Sequence, residues 1–302
     1  MYQKTQEWIY RHARPLDIAR WQYHFENGSK DNVIKALSFY QNNDGGFGHA
    51  LEPDSWNPNS APIQTWVATE ILREIEVTDQ SCSVVQGILK YLASGADFND
   101  HSWSNTVLSN NDYPHAPWWH AESESSCKTD YNPTACLAGF GLIFAKKSSQ
   151  VYKICKRIAQ EATEAYLKGG LLDDMHTVLC YIRLMEYCEK IDEQVIDLEA
   201  LKTKLREQVS YSITKDTSIW ETSYICRPSQ FFNSRDSIFY ETNQKVAEYE
   251  CEYILKTQLD DGSWDIVWSW NNYPEEWAIS KNWWKANSAI LNYLYLRGFE
   301  RV

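Results

Sequence analysis

The chain of 302 residues lacks a basic excess: 29 Lys and Arg stand against 41 Asp and Glu, a formal charge of −12. A surface that acidic repels phosphate backbones and anionic lipid, which argues against nucleic acid or a membrane surface as the main partner. No segment approaches the roughly 18 uncharged apolar residues of a membrane span. The start of the chain, Met1 to Trp8 running on to Arg11, Arg14 and Arg20, lacks the apolar stretch of a signal peptide. Strand patterns are scarce, because few stretches alternate apolar with polar residues and the β-branched residues do not cluster. The eight cysteines (82, 127, 136, 155, 180, 188, 226 and 251) form no Cys-x-x-Cys pair, and a chain of this length needs no disulfide frame. Together these absences lead to the expectation of an all-α, cytoplasmic protein with reduced cysteines, no transmembrane segment and no nucleic-acid partner.

What is plentiful is aromatic. Trp 14, Tyr 19 and Phe 10 make 14% of the chain, and that abundance needs a use. Helical spacing recurs throughout. In Val151-Ile154-Ile158-Ala162-Ala165 the apolar steps are three or four residues, with Lys153, Lys156, Arg157, Glu161 and Glu164 between them, so one face of that helix meets water. By contrast, Thr134 to Ala145 and Ala286 to Leu296 carry no charge, and Ala61 to Leu72 carries only Glu70. Helices apolar nearly all round are buried on most sides. Charged segments near 30–41, 82–93, 151–168, 198–213 and 245–257 alternate with apolar ones near 61–75, 133–146, 174–189 and 284–297. Residues 5–25 are read as one further buried helix. Such alternation predicts two concentric rings of helices: an α/α toroid of about six hairpins, forming a single domain over residues 1–302.

One internal repeat sharpens this. Gln41-Asn42-Asn43-Asp44-Gly45-Gly46-Phe47 has a counterpart in Gln258-Leu259-Asp260-Asp261-Gly262-Ser263-Trp264. Both read Gln-x-x-Asp-Gly-x-aromatic at the end of a charged helix, where Asp-Gly makes the turn, Gly takes the left-handed geometry and Gln bonds a neighbouring helix end. On these residues the chain resembles the terpenoid cyclase and protein prenyltransferase toroid superfamily, whose QW repeats have this form. The resemblance implies a small single toroid, with the inner helices starting at Ser60-Ala61-Pro62-Ile63-Gln64-Thr65 and at Asn132-Pro133-Thr134-Ala135. It identifies a fold more than an activity.

The superfamily's catalytic signatures are absent. There is no Asp-x-Asp-Asp run for protonating an alkene, since Asp260-Asp261 belongs to the repeat and Asp173-Asp174 lacks a third member. The Asp-x-Cys pair of the zinc prenyltransferases is missing too; Asp130, Cys136 and His176 offer the ligand chemistry at another spacing, so no metal is assigned. Nor is there the adjacent Cys-His pair of the lanthionine cyclases.

Two long aromatic loops, Asp97 to Asp130 and Asp261 to Trp284, are instead expected to form the mouth of a pocket. The candidate binding residues are Trp56, Trp103, Trp118, Trp119, His120, Trp220, Trp268 and Trp270, whose rings suit a carbocation or a sugar. The candidate acid and base residues are Glu52, Asp54, Asp173, Asp174, His176 and Glu221. Asp173 and Asp174 also suit helix capping, and His49 is expected to bond a loop carbonyl. The ligand is then a small molecule, an isoprenoid or other apolar cyclic compound in the first reading and a glycan handled by paired carboxylates in the second. A scaffold that kept the toroid and lost its chemistry is the third. No cofactor is assigned.

Overall fold

The expected periodicity becomes eleven α-helices in a computed structural model that describes residues 1–128 and 130–302. In chain order they are α1 (Tyr2–His12), α2 (Pro15–Phe25), α3 (Lys30–Ser38), α4 (Pro62–Glu74), α5 (Ser83–Ser94) and α6 (Tyr131–Phe144). These are followed by α7 (Gln150–Lys168), α8 (Met175–Cys188), α9 (Leu198–Ser212), α10 (Tyr240–Lys256) and α11 (Pro274–Gly298). Among the described residues there is no β-strand, only isolated bridges between loops, and no helix is long and apolar enough to cross a membrane.

Two expectations about element boundaries need correction. Residues 5–25 are not one helix: Arg14 is extended (ψ 155°) and Pro15 opens α2. Proline has no N–H for the helix to use and forces its predecessor out of helical geometry, so the chain breaks there. The aromatic loop expected up to Trp284 ends at Tyr273, because α11 starts at Pro274 with Glu275 and Glu276 in its first turn. A proline at the first helical position and acids beside the positive helix end favour that start. Trp277, Trp283 and Trp284 are therefore helical.

The helices divide into two compact units, one of residues 37–205 and the other of residues 1–36 with 206–302. In the first, α6 carries no charge and is buried almost throughout. It packs against α4, α7 and α8, while α5 packs against α7. Small residues permit this: a Cβ on Gly139 would lie 2.6 Å from the Tyr187 ring of α8. The amphipathic α7 turns Val151, Cys155, Ile158, Ala162 and Tyr166 inward. Across α4 and α8, Arg183 donates from Nε to Glu70 at 2.7 Å and reaches Glu186 at 3.1 Å, with Arg73 3.3 Å from Glu70. Burial pushes the Glu70 carboxyl up, but Arg183 and Arg73 outweigh it and hold it below its ordinary value.

The second unit packs α2 and α1 against α11, with α10 beside α11. Residues 213–239 form no α-helix, only short 3-10 turns at Thr217–Ile219 and Pro228–Gln230. Glu250 of α10, fully buried, pins the second turn by accepting from Ser229 N at 2.8 Å and Ser229 Oγ at 2.6 Å.

Both copies of the repeat adopt one geometry. Gln41 donates to Gly45 O (2.9 Å) and to Val84 O of α5 (3.0 Å); Gln258 donates to Gly262 O (3.1 Å) and to Thr5 Oγ1 of α1 (2.7 Å). Gly45 and Gly262 take φ of 97° and 93°, and a Cβ on either would strike the backbone of the neighbouring helix. The Gln side chain thus closes its own turn and ties it to the next charged helix.

A third turn of this kind follows α5. Ser104 N bonds Asp97 O (2.8 Å) and Asn99 N bonds Ser102 O (3.1 Å), as Gly48 N bonds Tyr40 O (3.1 Å) and Asn42 N bonds Gly46 O (2.8 Å) in the first copy. Trp103 N is received by Thr134 Oγ1 at 3.0 Å, as Phe47 N is by Thr65 Oγ1 at 3.1 Å. This turn is one residue shorter and has neither the Gln nor the Gly. Asp100 supplies the positive φ (72°).

Candidate functional site

In the unit of residues 37–205, the loop from Gly48 to Ser60 meets the loop from Asn105 to Ala121. Backbone bonds join them: Ala116 N to Asp54 O at 2.8 Å and Trp56 N to Pro114 O at 2.9 Å. Asn110, fully buried, is the clamp. Its Oδ1 accepts from Ser55 Oγ (3.2 Å) and Asn57 Nδ2 (3.0 Å), while its Nδ2 donates to Trp119 O (3.1 Å). Asn57 Nδ2 also reaches Ser109 Oγ at 2.9 Å, and Gln64 at the start of α4 bonds Asn57 O and Leu51 N, each at 3.0 Å. So much buried polarity in a loop holds only because its groups find partners.

Two carboxyl groups sit inside this junction. Glu52 and Asp54 are 5% and 3% exposed, and Asp54 N donates to Glu52 Oε2 at 2.9 Å. Just before them His49 and Ala50 both take left-handed φ, 60° and 59°, a geometry that costs of order 1 kcal/mol or more per non-glycine residue and concentrates at functional sites. The loop carbonyl that the His49 ring meets is that of a side chain and not of the backbone: its Nε2 pairs with Asn42 Oδ1 at 2.9 Å.

An imidazole pair lies on the other loop. His115 Nδ1 is 2.6 Å from Tyr113 O, and His115 Nε2 is 3.2 Å from His120 Nδ1. Beside them, Trp66 of α4 and Trp119 pack half-buried on Ala61, Ile63 and Val107. Of the sequence candidates, the structure therefore brings Glu52, Asp54, Trp56, Trp119 and His120 to one pair of loops. Trp118 joins them as a ring 43% exposed. His115 belongs to the aromatic and histidine loop read from the sequence, whereas Asn110, Asn57 and Trp66 carry no local signal, since an isolated Asn in a loop or a Trp on a helix forms no pattern.

The other candidates lie apart or are closed off. Trp103 is fully buried and Trp220 2% exposed. Trp103 plugs the third turn and Trp220 donates to Thr214 O at 3.1 Å, so neither ring offers a face to a ligand. Asp174 caps α8, accepting from His176 N and Thr177 N at 3.1 Å each and from Thr177 Oγ1 at 2.6 Å. It and Asp173 are exposed, while His176 is half-buried. Burial lowers the His176 imidazole, with Asp174 pulling the other way. Burial and the nearby Asp174 charge raise Asp130, whose Oδ1 accepts from Asn132 N at 2.8 Å.

Cys136 is wholly buried and its thiol is pushed well up by burial and by Cys180, the reverse of what a thiolate ligand needs. Among the described residues no three His, Cys, Asp or Glu side chains converge on a point where a metal would sit. In the unit holding the chain's two ends, Glu221 is exposed. Trp268 meets Tyr224 and Trp284 edge-on at 5.5 and 5.4 Å, and Trp270 is 6% exposed, 5.6 Å from Trp277.

No protein family, curated protein or solved structure was found to match the chain.

Proposed function

We propose that the chain is an α/α toroid of the terpenoid cyclase and prenyltransferase kind, and that its loop junction binds an isoprenoid or another apolar cyclic molecule and moves protons on it. The architecture is supported by hand-over between charged helices inside each unit. The turn after α3 rests on α5. The turn after α5 meets α7, where Arg157 donates to Asp100 O and His101 pairs with Glu161 at 3.3 Å. The end of α7 is bonded by Lys204 of α9, and the turn after α10 rests on α1. Within residues 37–205 the apolar α6 packs against the apolar α4 and α8.

One observation carries the ligand reading: a single pair of loops holds two buried carboxyls, two imidazoles and Trp119, which with Trp66 packs on an aliphatic patch. Carboxyls and imidazoles exchange protons near neutrality, and aromatic faces stabilise positive charge that develops on a bound hydrocarbon. Proton-initiated chemistry suits the site better than diphosphate ionisation, since Arg227, Arg235 and Lys281 are scattered in sequence. The test is thermal stabilisation of the purified protein by prenyl diphosphates and triterpenes, with product detection by mass spectrometry. Neither stabilisation nor product would end this reading.

The exposed Trp118 face favours one alternative, a glycan hydrolase or lyase, because an open indole stacks on a sugar ring. In that case Ala at Asp54, the carboxyl on the same pair of loops as Trp118, abolishes glycan turnover in a folded protein. Turnover retained there removes the alternative.

A further inference from the structure

The His115–His120 pair determines which nitrogen at the junction is basic. Tyr113 O can only accept, so the 2.6 Å contact requires His115 Nδ1 to carry the hydrogen. A neutral His115 then presents a bare Nε2. The partner at 3.2 Å, His120 Nδ1, must therefore be the donor, and the bare nitrogen of His120 is Nε2. Ring geometry agrees: the two planes differ by 10° with centroids 5.4 Å apart, an arrangement that lets an N–H of one ring point along the lone pair of the other. His115 is 7% exposed, whereas His120 is exposed.

We infer that His120 is the proton acceptor of this site, working through Nε2 in a tautomer imposed by His115, which is a positioning residue held by the Tyr113 carbonyl. An isolated neutral histidine favours hydrogen on Nε2, so the relay from carbonyl to His115 to His120 reverses the ordinary preference. It also leaves the lone pair on the outward ring. In the reaction an O–H or C–H of the substrate, or a water attacking it, gives its proton to Nε2. The electron pair of the broken bond stays on the donor atom, and the imidazolium formed keeps its Nδ1–H on His115 Nε2. A second ring nitrogen fixed by a hydrogen bond is the usual device for aiming a basic imidazole.

This deepens the reading of the junction as a proton-transfer site, but its test does not depend on turnover. Nitrogen-15 NMR of the uniformly labelled protein at about pH 8, above the ordinary imidazole range, distinguishes the tautomers directly. The expected spectrum has His120 protonated at Nδ1 and bare at Nε2, and His115 likewise. In His115→Phe, which removes the acceptor, His120 returns to the Nε2–H form. A wild-type His120 bearing its hydrogen on Nε2 overturns the inference, as does a folded His115→Phe in which His120 is unchanged. The wild-type spectrum decides even if the variant does not fold. Absence of any isoprenoid or glycan activity, with the expected tautomers present, would count against the proposed substrates and leave the relay standing.

Discussion

The hydroxyl of Thr5, in the first turn of α1, donates to the carbonyl of Gly262 at 2.8 Å across 257 positions of sequence. Gln258 donates to both the Thr5 oxygen and that same carbonyl. The closing turn of the second repeat is thereby tied to the helix with which the chain begins.

Gly262→Ala is expected to destabilise the protein by more than about 2 kcal/mol, since it combines left-handed strain with a clash. The added methyl would lie 2.4 Å from the Lys4 carbonyl carbon. Gly95→Ala is the control: its φ is also positive, at 78°, but nothing lies within 4 Å, so only the conformational cost of about 1 kcal/mol remains. Urea denaturation of both variants measures the difference.

Asn110→Ala removes the clamp between the two site loops. Ser55 Oγ, Asn57 Nδ2 and Trp119 O lose their shared partner, an expected cost of roughly 2–4 kcal/mol for orphaned buried groups. Near-ultraviolet circular dichroism should report loosening around Trp119, with far-ultraviolet helicity retained.

Arg183→Leu leaves Glu70 with Arg73 as its remaining cation. Breaking such a buried pair costs about 3–5 kcal/mol, whereas Arg183→Leu combined with Glu70→Leu should recover part of the loss. The sign with pH follows from the lowered Glu70 carboxyl. Its contribution is present above the ordinary value of 4.5 and fades as the pH falls through the lower, folded one. Denaturation midpoints of the single and double variants at several acidic pH values check both statements.

His176 behaves with the same sense for a different reason. Burial lowers its imidazole below the ordinary 6.5, so the fold is favoured while the ring is neutral. That contribution is complete above 6.5 and is lost as the pH falls toward the folded value. His176→Gln should flatten the decline in stability across that interval; an unchanged slope would show that the ring is solvated in both states.

The eight cysteines are unpaired; Cys82 and Cys127 are half-buried and the other six buried. A thiol reagent applied to the native protein should label those two first, and the rest only on unfolding. Peptide mass spectrometry after a short exposure gives the order.

Helices were legible where one local rule dominates. The uncharged run of α6 and the three-and-four spacing of α7 state their type and their burial without help from the rest of the chain. The starts of α2 and α11 are marked by Pro15 and by Pro274-Glu275-Glu276, but the apolar spacing runs unbroken across the first and the aromatic richness continues past the second. Gln41 to Phe47 and Gln258 to Trp264 announced their turn, because Gln, Asp and Gly each have a mechanical part in it. The turn of Asp97 to Trp103 did not, since its bonds are made by backbone atoms and by Thr134, 31 positions away.

By itself, then, the sequence determined an all-helical chain, the alternation of charged and apolar helices and the repeated turn, all of which follow from residue periodicity and local backbone preference. Tertiary structure alone decided which loop residues share a site. The Asn110 clamp, the left-handed backbone at His49 and Ala50, the burial of Glu52 and Asp54 and the tautomer of His120 each depend on partners that no local pattern specifies. A hydrogen bond between distant loops is set by where the helices carry them.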